Sequence, residues 1–199
     1  MPIEWFGFLV FAASMVGTPG PANMVVMASG ARFGAKASLP FLSGVIFGKQ
    51  LIIWPLGLGL LSILDPNGSV FLVLKWASVA YILWLAWKIA GTRIKAAQAG
   101  AQPPRFVEGL IVHPLNPKAW AMIIGGFTNF VDQSASAVMG TLAVAIGFLV
   151  TQWVLQPMWM LLGSQIASLV AGTPREAWLM RIMAILMVGS VLYVLLKGA

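Results

Sequence analysis

Two short stretches carry residues whose types and spacing could do chemistry. The first is Gly17-Thr18-Pro19-Gly20-Pro21-Ala22-Asn23, and the second is His113-Pro114-Leu115-Asn116-Pro117-Lys118. Each holds two prolines, which remove backbone donors and clash with preceding carbonyls, so a helix must break there. A broken helix offers two opposite binding ends. The half beginning near Pro21 or Pro117 presents unpaired N–H groups and a positive dipole end, suited to an anion such as a carboxylate. The carbonyls ending the half before it can accept from an ammonium group. Together they suit a zwitterion.

The remaining chemistry is sparse. Lys49, beside Gln50, and Lys118 fall inside long apolar runs, where a charge costs about 2.5–3.5 kcal/mol and usually faces a polar interior. None of the five acids falls near the middle of such a run. Glu4, Asp65 and Asp132 fall at one end of the runs, Glu108 and Glu176 at the other. The single histidine, His113, can carry a proton near neutral pH or cap a turn. Gln152, Gln156 and Pro157 can add polar groups to a cavity, and Gly44 and Gly48 can let helices pack closely. Without cysteine, disulfide, zinc and thiol chemistry are excluded. The set lacks a nucleophile–base pair or metal cluster, so an enzyme is not expected, nor a metal site or cofactor.

The elements that must position these residues are set by composition. The chain is 60% hydrophobic and only 9% charged, with mean hydropathy +0.92, so lipid is the solvent that fits. The apolar runs are continuous and lack the alternation of membrane strands. They predict an all-α integral membrane protein with six transmembrane helices at about 3–31, 38–64, 70–90, 106–131, 136–163 and 177–196. A polar linker with Pro103-Pro104 divides the chain into a first half, about 1–90, a hinge loop at 91–105 and a second half, about 106–199. The acidic start Met1-Pro2-Ile3-Glu4 does not read as a cleavable signal, so the first span is expected to be retained.

Basic residues set the orientation. Arg32, Lys36, Lys88, Arg93, Lys95, Arg105, Arg175 and Arg181 share one side, which predicts the cytoplasm there and both termini outside. Only Lys75 and Lys197 lie near the other side. The net charge of +7 is dispersed over these short loops, so nucleic acid is not an expected partner. Three spans per half is an odd number, so equivalent halves would be inverted repeats with broken helices 1 and 4. Gly20 is 12 residues before Arg32 and Asn116 is 11 after Arg105. Both breaks then sit about 17 Å from the cytoplasmic face, near mid-membrane. Asn116-Pro117 also reads as a helix cap, but Pro117 to Phe130 spans only about 21 Å, so Phe106 to Leu115 must complete the crossing. Paired interruptions of this kind point to a transporter's substrate site.

The motifs resemble those of the LysE/RhtB family of bacterial amino-acid exporters. The similarity rests on Thr18-Pro19-Gly20-Pro21 with Asn23, Ala31-Arg32-Phe33-Gly34 and Leu115-Asn116-Pro117-Lys118-Ala119-Trp120. It extends to Gly44, Gly48, Leu83 to Lys88 and Phe106-Val107-Glu108-Gly109. The resemblance implies a proton-driven exporter of amino acids or close derivatives in the bacterial inner membrane, and leaves a homodimer open. Members similar to the threonine and homoserine exporters carry an acid directly after Gly-Pro, where this chain has Ala22 and Asn23. That leans toward the cysteine and O-acetylserine type and a small neutral substrate. The expected substrate site is Thr18, Pro19, Gly20, Pro21, Asn23, Lys49, Gln50, Asn116, Pro117 and Lys118, with His113 or Glu108 as proton carrier. A membrane-embedded accessory or structural subunit is the rival reading.

Overall fold

In the computed structural model, residues 1–60, 69–91, 102–132 and 134–196 are described. Asp65, Arg93, Lys95, Lys197 and most of the expected hinge loop lie outside these residues. The described residues form helices α1 (Trp5–Gly17), α2 (Pro21–Phe33), α3 (Ala35–Pro55), α4 (Ser69–Ala90), α5 (Phe106–Leu110), α6 (Pro117–Phe130), α7 (Ala137–Val170) and α8 (Pro174–Leu196). A π-helical turn, Leu56–Leu60, continues α3.

Local chemistry sets the boundaries. Glu4 accepts from the Gly7 amide at 2.7 Å and caps α1, while Ser136 caps α7 by accepting from Met139. Prolines 21, 117 and 174 occupy first helical positions, where the missing N–H costs nothing. Gly34 and Gly172, at φ of 80° and 76°, make the reversals into α3 and out of α7.

The helices α1 and α2 meet at a bend of 53°. Among the described residues, two helices are by themselves long and apolar enough to cross a membrane: Ala35–Gly59 and Ala137–Val170. The bent pair makes a third if it is one crossing. The expected end of the fifth run at 163 falls short. No breaker follows Gly163 until Gly172, so α7 runs on to Val170 and reaches 34 residues.

Packing is closest where glycine lets two backbones touch. A Cβ on Gly30 would strike the Met160 carbonyl, and one on Gly163 would strike that of Met27, so α2 and α7 share a seam without intervening side chains. Gly44 and Gly48 of α3 lie equally close to the carbonyls of Phe106 and Leu110, with Gly109 packed back on α3. These seams fix both interrupted segments against long helices. Helix α4 packs on α8 around Ile82, Ala86, Met183 and Met187.

At one end of the molecule the chain start joins the tail of α6. Ile3 bridges Val131, the Glu4 amide donates to Phe130 O at 2.9 Å, and the Asp132 amide donates to Pro2 O at 3.1 Å. Just beyond, the backbone N–H and hydroxyl of Ser134 hold the Asp132 carboxyl below its ordinary range. Beneath this end, the edge of Phe8 packs on Phe148 with centroids 5.2 Å apart and on Phe130 at 6.0 Å. Gly126 and Gly147 leave the room that the Phe8 ring fills.

Candidate functional site

The two interrupted stretches meet. The α1 backbone stops at Thr18, whose N–H still reaches Ser14 O, and α2 starts at Pro21 with no side chain capping it. That leaves the carbonyls around the break to be satisfied from elsewhere. The Asn23 amide, one turn into α2, reaches back to donate to Val16 O at 2.6 Å and Thr18 O at 2.9 Å. The second break is built differently. Helix α5 ends at Leu110, residues 111–115 form turns, and Asn116 then caps α6 by accepting from the Lys118 amide at 3.1 Å. Trp120 braces these turns, its indole N–H donating to Pro114 O at 2.9 Å.

Lys118 joins the two breaks across the interior. Its ammonium donates to the Thr18 hydroxyl at 2.6 Å, to Thr18 O at 3.2 Å and to Pro19 O at 3.4 Å. All three are acceptors at the first break. Gly20 makes room for this side chain, since a Cβ there would sit 3.1 Å from Lys118 Cδ and 3.2 Å from Nζ.

Around this contact runs a buried polar chain. Gln156 donates to Asn23 Oδ1 at 3.5 Å, and Gln152 donates to Gln156 Oε1 at 3.1 Å. Gln152 Nε2 also lies 3.1 Å from His113 Nε2, an arrangement that puts the proton of the neutral ring on Nδ1. His113 Nδ1 and Gln152 Oε1 are buried without a hydrogen-bond partner among the described residues. Lys49 is fully enclosed and does not reach an interface. Its ammonium lies 3.3 Å from the Met122 sulfur and 4.5 Å from the centre of the Phe148 ring. The aromatic plug under the Ile3–Val131 end therefore touches the site through Lys49.

A cavity of about 20 Å³ lies between Gly20, Asn23, Lys49, His113, Asn116, Lys118 and Gln156, large enough for about one water. The structure thus brings together most of the expected site. Thr18 and Pro19 act through their acceptors on Lys118, while Pro21 and Pro117 act as first helical residues. Gln50 stands apart and donates to Ala145 O at 3.2 Å. Glu108 also stands apart, exposed beside a second cavity of about 360 Å³. Unforeseen were Met122 as the neighbour of Lys49 and the link from Gln156 to Asn23. Sequence offered one hint for the latter, the polar pair Gln152 and Gln156 spaced to share a face of α7.

A comparison with known proteins decides the family. Residues 13–198 match the LysE type translocator family. The chain belongs to the LysE family. It is accordingly a multi-pass membrane protein of a translocator class and not an enzyme. Among curated relatives, a cysteine/O-acetylserine efflux protein of Shigella flexneri serotype 5b (strain 8401) is 30% identical, covering 73% of this chain and 74% of the relative. One of the same description from Escherichia coli (strain K12) is 31% identical over 65% of this chain and 66% of its own. A leucine efflux protein of Enterobacter sp. (strain 638) is 24% identical over 67% and 66%. No solved structure matches the chain.

Proposed function

We propose that this LysE-family chain exports a small neutral amino acid or a close derivative across the bacterial inner membrane, driven by the proton gradient. The observation that carries the reading is the Lys118 ammonium seated on Thr18 and Pro19. It occupies the acceptors that a substrate ammonium would use. A zwitterion entering the site offers Lys118 its carboxylate, and Lys118 gives up those acceptors to the incoming ammonium. One ion pair then replaces a set of internal hydrogen bonds, and the tether between the breaks opens only when substrate is present. Cationic amino acids are disfavoured, because Lys49 and Lys118 meet them with like charge and no acid lines the cavity among the described residues.

In this reading the chain makes six crossings: α1 with α2, α3, α4, α5 with α6, α7 and α8. They form two inverted halves, with both termini outside. The Ile3–Val131 bridge supports that arrangement, since inversion requires the start of the first crossing and the end of the fourth to share a side. The common setting of Arg32, Lys88 and Arg105 around one cavity supports a single cytoplasmic end.

The test is radiolabelled counterflow in proteoliposomes with a panel of amino acids including cysteine, O-acetylserine, leucine and arginine. Arginine as the preferred substrate would overturn the charge argument, and silence across the panel would favour an accessory subunit. For coupling, His113 is the proposed proton carrier, because it lines the cavity at the second break and its Nε2 can take a proton once the Gln152 amide turns toward it the Oε1 that has no partner among the described residues. His113→Gln is expected to flatten the pH dependence of export between about pH 5.5 and 8 while leaving binding intact. A variant that follows the gradient as the parent does makes His113 a structural residue.

A further inference from the structure

The larger cavity has a composition that the exporter reading does not use. Its walls are Arg32 and Phe33 at the end of α2, Phe41 of α3, Tyr81 to Ile89 of α4, and the segment from Gln102 to Val112. Three features set it apart from the small cavity. Its volume, about 360 Å³, holds a whole amino acid. It carries both signs of charge, Arg32, Lys88 and Arg105 with Glu108, whereas the small cavity has only lysines and a histidine. And the Arg32 guanidinium stands in its wall over the Phe33 ring, 4.9 Å from the ring centre, a planar cation braced on an aromatic face as carboxylate-binding arginines are.

Position adds to composition. Phe41 and Val112 line this cavity and also belong to the apolar cluster of Val26, Leu42, Ile46 and Met160. The residue after Val112 is His113, which lines the small cavity. One apolar layer separates the two spaces. On the other flank of the small cavity Lys49 rests against Phe148 of the Phe8–Phe148 plug, and a cavity of about 540 Å³ at the Ile3–Val131 end is lined by Glu4 and Asp132 with no basic side chain.

We propose that this cavity is a loading site for the transported amino acid, entered from the cytoplasm and distinct from the site at the breaks; the inference rests on the export reading above. The substrate carboxylate pairs with Arg32 and Arg105, its ammonium with Glu108, and its side chain lies on Phe33 and Phe41. A zwitterion uses both charge signs at once. The phosphate of an anionic lipid would find the guanidinium groups but would be repelled by Glu108. Passage onward requires Phe41 and Val112 to part, which makes this layer the inner gate.

The test uses the full chain in vesicles sorted by orientation, with labelled leucine or cysteine, whichever gives wild-type counterflow. Arg32→Lys keeps the charge that sets orientation but loses the two-pronged donor, and Glu108→Gln removes the ammonium partner. Each is expected to raise the half-saturation concentration at the cytoplasmic face roughly three- to tenfold, with less than about a twofold change at the outer face. A substitution at the breaks, such as Lys118→Met, affects both faces. Equal half-saturation to wild type at both faces, in both variants, overturns the loading site while leaving the export reading intact. An effect that vanishes in phosphatidylcholine vesicles identifies a lipid headgroup as the occupant and also overturns it. Absence of any wild-type counterflow removes both readings together.

Discussion

The two breaks answer the same structural problem with opposite chemistry. At the first, no side chain caps the new helix, and Thr18 and Pro19 are exposed with their carbonyls turned to outside donors. At the second, Asn116 caps α6, and His113, Asn116 and Lys118 are all buried. One break supplies acceptors, the other a cation. Two interruptions that look alike as proline pairs have thus become complementary, and the protein holds its own ammonium where substrate chemistry is expected. A buried polar group left unpaired costs about 1–3 kcal/mol, which is why the buried Lys118 ammonium is seated on acceptors of the other break.

Removing the cation should break the comparison most completely. Lys118→Met takes this donor from Pro19 O and the Thr18 hydroxyl, with Thr18 O keeping Asn23, and leaves the substrate carboxylate without a partner. A loss of about a hundredfold or more in counterflow is expected, with normal membrane insertion judged by monodisperse elution in detergent. Retained counterflow would show that the lysine is a structural tether alone. Next in size is Asn23→Leu, which strips donors from Val16 O and Thr18 O. A destabilisation of about 1–3 kcal/mol is expected, read as a lower unfolding midpoint, and an unchanged midpoint would mean that water replaces the amide.

Asn116→Ala removes the cap of α6 and should cost about 1 kcal/mol, with a smaller fall in midpoint than Asn23→Leu. The reverse order would make the second break the more fragile one. The smallest effect belongs to Thr18→Val. It deletes the hydroxyl acceptor but keeps the Thr18 and Pro19 carbonyls, so counterflow should fall only about two- to fivefold. Combined with Lys118→Met, Thr18→Val should add almost nothing, because both act through one contact; full additivity would mean that they act separately.

Much of this site was legible because proline leaves an unmistakable mark on a helix. Counts to Arg32 and Arg105 pair Thr18 to Asn23 with His113 to Lys118, and Lys118 and Thr18 are in contact. The partner of Lys118 was not legible, since a backbone carbonyl has no signature in sequence. Gln50 illustrates a different limit. Neighbouring residues on a helix point about 100° apart, so with Lys49 turned inward Gln50 is directed elsewhere, to Ala145 O. Adjacency in sequence had grouped the two. Glu108 is exposed, but the cavity it borders is assembled from α2, α3, α4 and the segment leading into α6, and no local pattern announces such a meeting. The extra turns of α7 were missed because its end depends on Gly172 adopting a positive φ.

That extension of α7 carries a consequence of its own. Its 34 residues include no charged side chain and measure roughly 51 Å, against a hydrocarbon thickness of about 30 Å. Such a helix must lean, bend at its internal Pro157, or lift its ends among the lipid headgroups. Through the Gly30 and Gly163 seam, any change of lean is passed directly to α2 and so to the first break. Bilayer thickness thereby becomes a mechanical input to the protein. Reconstitution in phosphatidylcholines of increasing acyl length should shift the transport rate, and a rate flat across the series would show that α7 absorbs the mismatch by itself.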